Sequence, residues 1–241
     1  MWVIAEYEAT TLFTLKPATA TASGGRTLLV PTPFAIKMAL LNAAYSLHGQ
    51  AAEAEWEWIG GLPVALNPAA RVVVNNTFIK ILRPRRNPAE PGSQDAGYFG
   101  RTITYREYAQ LNGRLGIALQ VDQSDQADKL RRWLVNINYL GKRGSFVQIS
   151  GVPDITDSLP DDYLVIDGDL SDFPVDSILT QLDDVGDDVD FDAVSIYSGK
   201  RITLGKQRVL RHAALPYHVV SSSRGYTYYE RNELSQEAAA P

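Results

Sequence analysis

Two groups of residues in this 241-residue chain have the types and spacing to do chemistry on an anion. The first is Tyr139-Leu140-Gly141-Lys142-Arg143-Gly144-Ser145-Phe146. Two glycines let a backbone approach a ligand closely, and Lys142 and Arg143 set two cations beside exposed amides. The same residues also suit a plain glycine helix stop whose cations complement the helix C-terminal dipole, so both readings stand. The second group is spread from Lys80 to Arg114: Lys80, Arg83, Arg85, Arg86, Arg101, Arg106 and Arg114 interleave with Tyr98, Phe99, Tyr105 and Tyr108. Aromatic rings stack on unpaired bases at about 1–3 kcal/mol each, while the guanidinium fork binds phosphate. The alternative is a basic loop whose aromatics pack inward on a small core of their own.

Catalysis has little support. His48 ends the first helix, within helical reach of Tyr45, a pairing that would suit general acid–base chemistry with His as acid or base. A histidine at a helix C-terminus is equally well explained as a cap. His212 and His218 form no recognised ligand pair, and the chain has no cysteine, which removes disulfides and thiolate zinc sites. The run Asp183–Asp192 lacks the glycine and closing glutamate of an EF-hand and reads as a solvated loop or a protein-binding surface. Nucleophile-elbow, dinucleotide and phosphate-loop signatures are absent from the sequence. The expectation is a protein without catalytic residues, metal or cofactor.

The net charge of −5 is unevenly distributed. Arg71 to Arg143 carries thirteen Lys and Arg against six Asp and Glu; Gly144 to Gly199 carries fourteen Asp and no Lys or Arg. Such asymmetry predicts separate basic and acidic surfaces, the basic one suited to a phosphate backbone. Like charges repel, so the acidic segment 154–192 should face solvent or a basic partner. The first residues lack a basic, apolar leader, and no stretch reaches the ~18–20 apolar residues of a membrane span; a cytoplasmic protein is expected.

Several elements must position these groups. Trp2 to Ala9 alternates as a strand. Thr32 and Pro33 open a helix with an apolar face of Phe34, Met38, Leu41 and Tyr45, and Gly49 stops it. Glu53 to Ile59 is a strand or an irregular segment. Arg71 to Leu82 and Leu115 to Val121 are β-rich. The proline- and glycine-broken stretch 83–114 between them reads as an irregular excursion, with a short element at Thr102 to Gln110. Ser124 caps a second helix striped by Leu130, Trp133, Leu134 and Ile137 and ended by Gly141. Phe146 to Ser150, Tyr163 to Ile166, Ala193 to Tyr197 and Arg208 to Tyr229 supply further strands, and Glu237 to Pro241 is a frayed tail. The order is the βαββαβ of an α+β, ferredoxin-like or RRM-like fold. Residues 1–150 form that domain, with the insertion at about 83–114. Residues 151–241 are an acidic segment and a β-rich C-terminal part packed on it.

The Tyr-Leu-Gly-Lys-Arg-Gly-Ser turn resembles the glycine-containing turn of the CRISPR-associated protein five family, RAMP-superfamily subunits of type I Cascade-like complexes. Pro31-Thr32-Pro33-Phe34-Ala35-Ile36-Lys37 is similar to the start of that family's first helix. The likeness covers Met1 to about Ser150, and the excursion corresponds to the family's thumb. What it implies is a RAMP fold that caps the 5′ handle of a CRISPR RNA and touches the guide through the thumb. Candidate RNA contacts are Arg26, Lys37, Lys80, Arg83, Arg85, Arg86, Arg101, Tyr139, Lys142 and Arg143. The implied partners are the CRISPR RNA, the backbone and large Cascade subunits, and target DNA through the complex, with no membrane. A precursor-cutting endoribonuclease using His48 and Tyr45 is the rival reading, and a scaffold binding only proteins is a third.

Overall fold

The computed structural model describes residues 1–20, 25–170 and 176–232, so the expected tail at Glu237–Pro241 lies outside the described residues. The chain opens with β1 (Trp2–Ala9), where Val3, Ala5 and Tyr7 point into the core. α1 (Pro33–His48) follows, with Pro33 at its first position and the Thr32 hydroxyl accepting the Ala35 N–H at 3.2 Å. Gly49, at φ 60°, ends it, in a conformation glycine adopts without strain.

The next segment corrects the strand considered for Glu53 to Ile59: it is a 3-10 helix (Gly49–Glu55) running into α2 (Trp56–Ile59). Trp56 is buried there, and its indole N–H donates to the Val189 carbonyl at 2.7 Å. β2 (Val64–Asn67), β3 (Arg71–Ala89), β4 (Gly97–Asn112) and β5 (Leu115–Gln120) come next, then α3 (Ser124–Val135). Ser124 is the first residue of α3 and not its cap; the cap position is Gln123, whose side chain makes no capping bond. The helix stops at Asn136, five residues before Gly141. β6 (Val147–Ile149), β7 (Asp154–Thr156), β8 (Leu164–Val165) and β9 (Ile178–Val185) lead to α4 (Phe191–Val194). The strand expected at Ala193 to Tyr197 is instead this helical turn and its exit. Asp190 starts it by accepting the Ala193 N–H at 2.9 Å, a local bond that outcompetes extended backbone. β10 (Arg208–Leu215), β11 (Tyr217–Ser222) and β12 (Tyr226–Arg231) complete the chain.

The central sheet runs β6-β1-β5-β2-β8, with β7 also on β1, and its pairings are antiparallel. α1 and α3 cover one face: Ile36, Leu40, Ala44, Leu130 and Leu134 pack with Val3, Tyr7, Ile117 and Leu119. The Tyr7 hydroxyl donates to the Leu134 carbonyl at 2.8 Å, and burial pushes its pKa well up. The opposite face is thinner, with Trp2, Ala65 and Ala118 covered by Leu159 and Tyr163. A second antiparallel sheet, β11-β12-β3-β4, and the β9–β10 pair complete the mixed α/β architecture.

The stretch 83–114 is not an irregular excursion. β3 and β4 pair continuously from Arg71↔Asn112 to Pro84↔Phe99, and the chain turns over at residues 90–96. β12 supports β3 only as far as Asn75, so the outer part of the pair projects as a two-stranded arm. Proline lacks an N–H and is confined to strand edges. Pro84 and Pro88 lie where β3 has no partner on its second edge, and the register shifts between Pro84 and Ala89. Prolines that would break a central strand therefore fit this one.

Candidate nucleic-acid interface

Period-two alternation sorts the arm's residues onto two faces. Phe78 opposes Tyr105, their rings edge-to-face at 5.1 Å. Lys80 opposes Ile103, Leu82 opposes Arg101 and Pro84 opposes Phe99, which puts Phe78, Leu82, Phe99 and Ile103 on one exposed face beside Lys80 and Arg101. Phe78 is 73% exposed. The other face carries Arg83 opposite Gly100 and Arg106 opposite Thr77. Arg85 joins this face: its guanidinium lies over Gly100, where a Cβ would stand 2.3 Å from Nε. Alternation thus keeps Phe78, Phe99 and Tyr105 with Lys80 and Arg101 on one face, and Tyr108 with Arg83, Arg85 and Arg106 on the other.

Asp95, near the turnover, partly neutralises the arm, 3.0 Å from Arg101 and 3.6 Å from Arg85. Among the described residues, Lys80, Arg83 and Arg86 have no carboxylate partner and are exposed. Arg114 lies off the arm, tied to Glu6 at 2.7 Å and near Glu8.

The Gly141 turn is a small hairpin-like loop. Tyr139 bridges Phe146, Leu140 N–H donates to the Ser145 carbonyl at 3.1 Å, and Ser145 N–H donates to Lys142 at 3.0 Å. Thr11 clamps it from outside, its hydroxyl donating to the Gly144 carbonyl at 2.7 Å and accepting the Phe146 N–H at 2.9 Å. Both glycines have positive φ. A Cβ on Gly141 would meet the Leu15 side chain at 2.9 Å, so its missing side chain serves packing within the protein, not approach to a ligand. Lys142 and Arg143 are exposed and Tyr139 is half-buried. Since α3 ends at Val135, these cations do not cap it.

Arg26 is exposed where the loop before α1 meets β4, flanked by Gly25, whose carbonyl accepts the Glu107 N–H at 2.7 Å. Lys37 requires correction as an RNA contact. It is 2% exposed and donates to Asp184 at 2.6 Å, with Arg211 also beside Asp184. Burial holds its pKa below the usual lysine range, and Asp184 opposes that shift. A side chain so enclosed offers nothing to a phosphate outside.

Asp183, 1% exposed, is held by Arg208 at 2.6 Å. The two aspartates expected at the surface are therefore internal counter-ions, whereas Asp187, Asp188, Asp190 and Asp192 are exposed. Lys200 bridges Asp190 and Asp192 at 2.8 and 3.2 Å. A cleft of about 920 Å³ bordered by Asp167, Asp187 and Asp188 has the wrong sign for phosphate.

His48 and Tyr45 each turn to a different partner. His48 stands edge-on to Trp133, with centroids 6.5 Å apart. Tyr45 stacks on Phe191, and its hydroxyl donates to Glu53 at 3.1 Å, a bond that raises its pKa. No cluster of His, Asp and Glu able to hold a metal ion occurs among the described residues.

A second cavity, of about 740 Å³, lies beside the Gly141 turn and brings together Lys16, Arg106, Lys142 and Arg208. Lys16 and Arg208 are far apart in sequence and carry no local motif, so sequence reasoning passes over them.

No family model matches the chain. The CRISPR-associated protein Cas5 of Archaeoglobus fulgidus is 25% identical to it over 130 residues, covering 53% of this chain and 54% of that protein. The chain is thus similar to a CRISPR-associated protein over part of its length. It spans about half the length of that curated relative. Among solved structures, a CRISPR RNA-guided surveillance complex chain aligns at TM-score 0.48 and 16% identity, covering 89% of this chain and 90% of that one. A CRISPR protein from Archaeoglobus fulgidus aligns at TM-score 0.40 and 12% identity, covering 96% and 92%. No helix among the described residues is long and apolar enough to cross a membrane.

Proposed function

We propose that the chain is a non-catalytic RNA-binding subunit of a CRISPR ribonucleoprotein, with a ferredoxin-like RAMP core and β3–β4 as its thumb. In this reading it caps the 5′ handle of the CRISPR RNA at the Gly141 turn and follows the guide backbone with the arm. Taking β1, β2, β5 and β6 as the four core strands, the sheet order 4-1-3-2 supports that fold, with α1 and α3 as its helices and β3–β4 inserted between the second and third strands. The observation that carries the reading is the arm itself: a projecting pair of strands bearing exposed Lys80, Arg83 and Arg86 without carboxylate partners among the described residues. Long, exposed cations away from any core are placed to meet a phosphate backbone. Assembly with other protein subunits, and reach to target DNA through them, follow from the same reading.

Its non-catalytic part draws support from the separate engagements of His48 and Tyr45, which leave no acid–base pair aimed at one point.

The test uses the purified chain with handle-bearing and scrambled single-stranded RNA. Lys142→Ala with Arg143→Ala should weaken binding of the handle-bearing RNA more than the scrambled one, because a fixed sequence lets base edges be read. Equal affinities before and after the change would remove the turn from the interface. Incubation with repeat RNA in EDTA should leave it intact; specific cleavage lost in His48→Ala would establish the endoribonuclease instead.

A further inference from the structure

We infer that the cavity beside the Gly141 turn receives one unstacked nucleotide of the bound RNA, its base on an apolar floor and its flanking phosphates on the rim. The inference rests on the RNA-binding reading and goes further by giving a single nucleotide its own seat. The cavity, about 740 Å³, falls within the ~300–1,000 Å³ of ordinary ligand sites. One stripe of α1 forms a wall: Ala35, Met38, Ala39 and Asn42 recur at helical spacing. Leu15 and Leu28 face it from the loop before α1. Phe34 completes the floor, its ring covered by the Arg208 guanidinium at 4.5 Å. Arg208 is already committed to Asp183 at 2.6 Å.

The rim differs from the floor. Lys16, Arg106 and Lys142 converge there from three separate elements, and no carboxylate pairs with any of them among the described residues. Three cations without counter-ions around an apolar depression call for a ligand that is flat and apolar in its body and anionic at more than one point. A nucleotide within a strand meets that description, since its phosphates lie on either side of a π-faced base. Asn42 adds an exposed amide, donor and acceptor together, suited to a base edge. The site is continuous with the arm, because Arg106 shares the face of Arg83 and Arg85. Ile196, 87% exposed, overhangs the mouth, where an incoming ligand would cover it. The larger cleft, bordered by Asp167, Asp187 and Asp188, would repel the same ligand.

Met38 makes the test specific, because the chain has two methionines, Met1 and Met38. With ¹³C-methyl methionine, the protein gives two methyl signals, one of them inside the cavity. A short single-stranded RNA whose binding is followed by fluorescence anisotropy should move the Met38 signal by ring current and leave Met1 in place. Adenosine 5′-monophosphate at high concentration should move it in the same direction, and inorganic phosphate should not. Met38→Trp, which fills the cavity, and Asn42→Ala, on an exposed helical position, should both lower RNA affinity, the former by about tenfold, the worth of one stacked base. If RNA binds with Met38 unmoved and neither substitution matters, the cavity is no nucleotide seat, although the RNA reading stands. If no RNA binds, the RNA reading and this inference fall together. If an acidic peptide moves the Met38 signal and the nucleotide does not, the seat belongs to a protein and the inference is overturned.

Discussion

Lys37 lies on the same α1 stripe as Leu40, Leu41 and Ala44, three, four and seven residues on, and its ammonium ends on Asp184 inside the protein. Breaking a buried pair from one side strands the other charge, at about 3–5 kcal/mol. Asp184→Ala is therefore expected to lower the unfolding free energy by about that amount, read from the midpoint of a urea titration, while RNA affinity per folded molecule stays unchanged. Replacing both partners with apolar residues, Lys37→Met with Asp184→Leu, should recover most of the loss; a double variant as unstable as the single would mean the charges are needed for more than each other. Gly141→Ala should cost about 1–2 kcal/mol, for its positive φ and for the contact with Leu15. At this scale the sequence was legible where partners are close in the chain. The Thr32–Pro33 start and the Gly49 stop follow from local chemistry. The Lys37–Asp184 pair spans 147 positions and was not legible, although a lysine on an apolar helical stripe is itself a sign of an internal partner.

At the scale of elements, the β3–β4 arm behaves differently from the sheet it leaves. Up to Asn75, β3 is bonded on both edges; beyond it, β4 alone holds it along most of the arm. A two-stranded ribbon is marginally stable by itself in water. Amides from Thr77 to Leu82 should thus exchange with deuterium through local opening, well before those of β1 and β5, where both edges are paired and the core covers one face. Bound RNA should slow exchange in the arm selectively. Equal protection in the arm and β5 without RNA would show that the arm is held by contacts beyond its ladder. The exposed apolar face gives a second test: Phe78→Ser with Phe99→Ser should change stability by no more than ~0.5 kcal/mol per site, since neither ring serves the core. In the central sheet and its helices, β1, α1, β5 and α3 were readable from their periodicity, but the four-residue β2 was not, and Arg71 to Leu82, read as the strand beside β5 in sequence, belongs to the second sheet. The arm was not readable, because Pro84, Pro88 and Gly100 look like loop residues until one knows that β3 has a free edge there and that Gly100 makes room for Arg85. Likewise Ala193 to Tyr197 has strand-forming residues, but the Asp190 cap commits their start to a helical turn.

Across the whole molecule, the net charge of −5 conceals a division of labour. Part of the acidic segment is spent internally, with Asp183 and Asp184 neutralising Arg208, Lys37 and Arg211. The cations left without counter-ions among the described residues include Lys80, Arg83 and Arg86 on the arm and Lys16, Arg106 and Lys142 around the smaller cavity. Charge counting from sequence found the basic stretch; only the fold separates cations already paired, such as Arg114, from those free to bind. The central claim is that free arm cations hold an RNA backbone by charge and not by sequence. The direct measurement is the affinity of the full chain for single-stranded RNA across a salt series, for the wild type and for Lys80→Ala, Arg83→Ala, Arg86→Ala combined. Each lost phosphate contact lowers the slope of log K against log salt by about 0.7, so the triple variant should lose about 2 from the slope and weaken for all sequences alike. An unchanged slope and affinity would contradict the account and leave the arm with some other partner.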